Sequence, residues 1–122
     1  MKHARLAVLV CLLMAFFAPP AQATRFTGTY LLYVCGSDKD GKELTPGGHI
    51  TCQSYIAGVL DYHNLIHSLG TSPSVDFCVP QDVGLDVLQQ IVGRYLAQNK
   101  DQGPFVASPA VALALFEAYP CR

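Results

Sequence analysis

Residues 82–98 read DVGLDVLQQIVGRYLAQ, and their apolar spacing decides the fold class. Val83, Val87, Leu88, Ile91, Val92, Tyr95 and Leu96 recur at three- and four-residue intervals, which sets them along one stripe of an α-helix. Gln89, Gln90 and Arg94 fall off that stripe and are expected to face away from it. Asp82 is placed to cap the helix, and Asp86 sits where the positive end of the helix dipole favours a carboxylate. Gly84 and Gly93 each cost about 1 kcal/mol against alanine in a helix interior, and Gly93 is read as a close helix crossing.

Working outward, three turn-rich stretches cut the chain into four pieces. The first, Gly36 to Gly48, is charged and contains Pro46-Gly47-Gly48. The second is Gly70-Thr71-Ser72-Pro73-Ser74, and the third is Asn99-Lys100-Asp101-Gln102-Gly103-Pro104. After the first break, Cys52, Tyr55, Ile56, Val59, Leu60 and His63 again keep helical spacing. After the third, Ser108-Pro109 reads as an N-cap followed by proline in the first helical position, and the helix stops at Pro120. Its alanines allow close approach by another helix. Phe26 to Cys35 carries strand-favouring Thr, Tyr and Val, but Leu31, Leu32 and Cys35 suit a helical face, and its context predicts a short helix. The expected architecture is all-α, a small four-helix domain.

The cysteines place that domain. Lys2, His3 and Arg5 give a positive start, Leu6 to Phe17 is almost continuously apolar, and Ala21-Gln22-Ala23 is a small-residue exit. This is the pattern of a secretory signal peptide spanning 1–23, with cleavage after Ala23. The apolar run breaks at Pro19-Pro20, short of the roughly 20 residues that a membrane span needs. Cys11 belongs to the leader. Cys35, Cys52, Cys78 and Cys121 belong to the domain at 24–122, an even set bound for an oxidising compartment. An antiparallel helix pair would bring Cys35 to Cys52, and a second hairpin would bring Cys78 to Cys121. That layout favours these two disulfides; four cysteines allow two other connectivities.

The full chain of 122 residues carries a formal net charge of −1, with nine acidic residues and eight Lys/Arg. Two of those cations, Lys2 and Arg5, lie in the leader, so the domain is more acidic than the whole. Nothing in this balance resembles the basic footprint of a nucleic-acid or anionic-membrane binder. No membrane association is expected once the leader is removed.

Enzyme chemistry finds little to use. A Cys–His nucleophile needs a free thiolate, and the expected pairing leaves none. His63 and His67 stand four apart, like the two zinc ligands of H-E-x-x-H, but Asn64-Leu65-Ile66 lies between them. The activating glutamate is missing and no third ligand is evident, so no metal or other cofactor is expected. His49 lies in a loop. Asp38, Asp40, Glu43, Asp61, Asp76, Asp82, Asp86 and Asp101 are scattered in loops and near helix ends, where capping and solvation account for them. There is no nucleophile elbow, phosphate-cradling loop or EF-hand spacing. Tyr55, Tyr95 and Tyr119 lie on helical stripes and are assigned to the core, whereas Tyr30, Tyr33, Tyr62 and Phe105 are candidates for exposure.

The residues do resemble a family. Gly28-x-x-Leu31-Leu32-x-x-Cys35, Cys52-x-x-Tyr55-Ile56-x-Gly58-Val59-x-Asp61, Phe77-Cys78-x-Pro80 and Ala114-Leu115-x-x-Ala118-Tyr119-Pro120-Cys121 are similar to the Rap1a/Tai immunity proteins of bacterial type VI secretion systems. The resemblance implies a small helical periplasmic protein, often a homodimer, that blocks a peptidoglycan-cleaving amidase toxin. It implies inhibition by occlusion, a loop and adjoining helix surface entering the catalytic cleft of the toxin. One departure falls in that loop: where the family usually continues from His-Pro, this chain has Gln98-Asn99-Lys100-Asp101.

The expected contact surface is Asn99, Lys100, Asp101 and Phe105 with Gln90 and Arg94 on the third helix. It is a flexible polar loop ending in an aromatic, held between two helices. Two other classes remain open. An acid-responsive periplasmic chaperone would bind many clients, and a carrier of small apolar ligands would show a lined internal pocket.

Overall fold

The computed structural model describes residues 25–122, and the expected leader lies outside them. Four helices follow in order: α1 Gly28–Cys35, α2 Gly48–Ser68, α3 Leu85–Gln98 and α4 Ala107–Ala118, with one 3₁₀ turn at Lys100–Gln102. Among the described residues β pairing is confined to isolated bridges, Thr27 with Val106, Ser37 with Glu43, and Phe77 with Pro120. The chain is therefore a small all-α domain.

Thr27 starts α1, its hydroxyl accepting from the Tyr30 amide at 3.2 Å. Gly47, with φ +75°, turns the chain into α2. The Glu43 carboxylate accepts from the amides of Gly47 at 2.9 Å and His49 at 3.2 Å. It thus meets donors that have no partner within the helix, at the end where the dipole favours an anion.

Two helix starts differ from the sequence reading. α3 begins at Leu85 rather than at a cap on Asp82, because Pro80–Val83 forms a turn, with the Val83 amide bonded to Pro80 O. Val83 is left half-buried beside the helix. α4 begins at Ala107, one residue ahead of the expected Ser108 cap. The Ala107 amide donates to Phe26 O at 2.8 Å, so the bridge to the segment before α1 takes the place of a serine cap. Pro109 then sits in the first turn, where its missing N–H costs no helical bond.

The core gathers one stripe from each helix: Leu31 and Val34, Cys52 and Ile56, Leu88, Val92 and Leu96, and Val111, Ala114 and Leu115 are all at most 2% exposed. Phe77 joins them at 4%. Gln89, expected to face away, is buried. Its Nε2 donates to Cys35 O at 3.0 Å and its Oε1 accepts from Gln53 at 2.9 Å. The physical reason is the end of α1, whose last carbonyls lack helical partners and abut α3. A side-chain amide satisfies one of them where an apolar residue would not.

Cys35–Cys52 ties the end of α1 to the first turns of α2, and Cys78–Cys121 ties the entry to α3 to the exit from α4. The Cys78 amide donates to Tyr119 O at 2.8 Å beside the second bond.

Candidate partner-binding site

The segment from Asn99 to Phe105 is not a free loop. Asn99 ends α3 by donating twice to Tyr95 O, from its amide at 2.9 Å and from Nδ2 at 2.8 Å. The 3₁₀ turn follows, and its exit docks on α1. The Gly28 amide donates to Phe105 O at 2.9 Å and the Thr29 amide to Gly103 O at 3.0 Å. Amides that the first turn of α1 cannot satisfy internally are thus satisfied by this segment. The approach is close enough to need glycine on both sides. A Cβ on Gly28 would lie 2.7 Å from Gln102 O, and one on Gly103 would lie 2.6 Å from Thr29 Oγ1. The expected flexibility is replaced by an anchored turn, a constraint that arises from residues some seventy positions away in sequence.

The backbone of this turn faces inward and its side chains face outward. Lys100, Asp101 and Pro104 are exposed, Asn99 is half-buried, and Phe105 is 67% exposed. Val106, at 40%, extends the apolar patch, and Tyr30 lies exposed one turn into α1. Spacing does not single out Val106; its one signal in the sequence is a β-branched residue directly after Phe105. Phe26, which packs edge-on against Tyr30 at 4.7 Å and stacks on Tyr55 at 4.6 Å, supports this corner from below.

Gln90 and Arg94 are exposed and one turn apart on α3. Arg94 lines a shallow hollow of about 210 Å³ with Tyr95, Gln98 and Glu117. The Tyr95 hydroxyl is pushed above its ordinary pKa first by burial, then by the negative charges of Glu117 and Asp101. Tyr95 therefore links the two parts of the surface: the turn contributes Asp101 and the α3 face contributes Arg94. Gln90 stands one turn back along the same face, outside the hollow. Glu117, a lone acid in an apolar helix, is the member of this group that spacing did not single out.

A different group converges at the far end of α2. The sequence shows no third donor beside His63 and His67, but the fold supplies one in Asp76. Asp76 Oδ1 lies 3.0 Å from His63 Nε2 and 2.7 Å from His67 Nε2. The hydrogen bond from His67 is the main cause holding the Asp76 carboxyl below its ordinary value. His49 lies elsewhere, its Nε2 within 3.0 Å of Ser37 Oγ and 3.2 Å of Gly36 O.

An apolar hollow of about 290 Å³ opens beside this group, lined by Val59, Tyr62, Ile66, Val75, Pro109 and Ala112 among others. It is a surface groove and not the lined interior that a carrier predicts. Among the described residues no helix is long and apolar enough to cross a membrane.

The family model of the Rap1a immunity proteins matches residues 27–121, from the cap of α1 to the last cysteine. No curated protein and no solved structure matches the chain significantly.

Proposed function

Because the chain belongs to the Rap1a immunity protein family, we propose that it binds and occludes a peptidoglycan amidase toxin of a type VI secretion system. It does so in the periplasm, after export and cleavage following Ala23. The family role is immunity, which calls for a tight interface rather than for chemistry. The observation that carries the reading to particular residues is the anchored turn bearing Lys100, Asp101 and Phe105. A turn whose backbone is already hydrogen-bonded to α1 loses little freedom on entering a cleft, so more of its contact energy is realised as affinity. The exposed Phe105 ring supplies the apolar anchor, while Asp101, Lys100 and Arg94 supply polar contacts around it. Gln90 extends the surface along α3. The protein acts as a homodimer, each copy presenting one such surface.

The test is to replace Asp101 and Phe105 together with alanine and to measure binding to the amidase encoded beside the gene. Affinity should fall at least about 100-fold, the effect of losing one strong and one moderate contact, with the melting temperature unchanged. Unchanged affinity would remove this surface from the interface.

A further inference from the structure

The geometry points to a divalent transition-metal site at His63, His67 and Asp76, of the class that takes Zn²⁺. It is separate from the proposed toxin surface and is formed by the end of α2 and the segment that returns toward α3.

The donors are placed as a set. His63 and His67 stand one turn apart on α2, their rings 4.6 Å apart and tilted by 59°, so that both Nε2 atoms converge on the same carboxylate oxygen. The three donor atoms all lie within 4.8 Å of one another. Two imidazole nitrogens with one carboxylate oxygen is a donor set that suits zinc and its first-row neighbours better than calcium or magnesium. With metal–ligand bonds near 2.0–2.1 Å, a tetrahedral centre holds its ligand atoms about 3.3 Å apart. The N···O separations here are 3.0 and 2.7 Å. Opening them by a few tenths of an ångström is a side-chain adjustment, easy for His67 and Asp76, whose side chains are 38% and 28% exposed.

The remaining ligand is fixed. His63 is 9% exposed and stacks on Phe77 with centroids 3.8 Å apart and planes 17° apart. Phe77 is itself buried, bridged to Pro120, and adjacent to the Cys78–Cys121 disulfide. Asp76 precedes Phe77, so the backbone that presents the carboxylate is held by the same bridge. A site with one locked imidazole and a tethered carboxylate needs little ordering when the ion arrives. The open side, toward His67 and solvent, leaves a fourth position for water or for a donor from another molecule. Asn64-Leu65-Ile66 offers no carboxylate between the histidines to act as a base, so the site is a clamp. It joins the end of α2 to the segment before Cys78, adding a third staple to the two disulfides.

With no metal, each Nε2 faces the carboxylate as a proton donor; with metal, the same nitrogens must give up those protons. On uptake each neutral ring moves its one proton to Nδ1, a change of tautomer that frees Nε2 for the metal.

The experiment uses the purified, oxidised protein, stripped with chelator and free of histidine tags. Zn²⁺ is titrated by calorimetry, and Co²⁺ is followed by its visible absorption, which reports coordination geometry. The expected result is one ion per chain, a rise in melting temperature with Zn²⁺, and a cobalt spectrum of low coordination number. His67→Ala and Asp76→Asn should each weaken binding at least about 100-fold. Asp76→Asn keeps an acceptor for the imidazoles, so it remains a fair test if His67→Ala is poorly folded. His49→Ala, outside the cluster, should bind as the parent does. Absence of binding up to about 1 mM Zn²⁺ would overturn the assignment. So would parent-like binding by both folded cluster variants, or loss of binding in His49→Ala.

Discussion

Single residues hold this domain at places where helix ends would otherwise be left unsatisfied. Gln89 is the clearest, since it caps a carbonyl of α1 from α3 while holding Gln53 of α2. Gln89→Ala should lower the unfolding free energy by about 1–3 kcal/mol, measured by urea denaturation, because Cys35 O would be buried without a donor. Glu43 acts from the exposed side. Its carboxyl lies below the ordinary value of 4.5, mainly through the Gly47 and then the His49 amide. A depressed folded value means that the ionised form stabilises the fold. That stability is complete above the unfolded value and is lost as the pH falls through the folded one. Glu43→Gln should therefore melt a few degrees below the parent at pH 7, and the gap should close as the pH is taken below 4.5. A gap that stays constant down to pH 3 would contradict a charge-based cap.

At the scale of elements, the turn between α3 and α4 is as much a part of α1 as of its neighbours. Gly103→Ala would press a methyl group against Thr29 and the Lys100 carbonyl. It should cost about 1–3 kcal/mol by the same denaturation measurement and, by displacing the turn, weaken toxin binding as well. This junction was not legible in the sequence. Helical spacing reveals which face of an element is apolar, and it marks the three later helices; the first, expected over Phe26 to Cys35 and found at Gly28–Cys35, follows from its context, since its composition also suits a strand. It cannot reveal which distant backbone groups will meet. Hence the sequence places the cap of α4 on Ser108, whereas the Phe26 carbonyl decides its start. The same reasoning turns Gln89 outward, whereas its amide is bonded inside. Spacing pairs His63 with His67, but Asp76 reaches them only through the return of the chain from Gly70, which no periodicity encodes. Exposure was easier: Phe105 beside Gly103-Pro104 stands out in sequence and on the surface alike.

For the whole molecule, two disulfides and one compact core divide the stabilisation. The chain-entropy estimate gives about 3 kcal/mol for closing 17 residues and about 4 kcal/mol for closing 43. Replacing Cys78 and Cys121 together by alanine should thus lower stability more than replacing Cys35 and Cys52, as read from paired denaturation curves. The domain is a disulfide-bonded scaffold that holds one aromatic turn against α1, and the proposed immunity depends on that anchoring. The most direct measurement is a titration of the oxidised protein into the amidase encoded beside it, following release of cleaved peptidoglycan. Cleavage should fall linearly to zero at one immunity subunit per toxin, and the Asp101→Ala, Phe105→Ala protein should restore it at the same ratio. Full cleavage at a large excess of folded, disulfide-bonded protein would contradict the account.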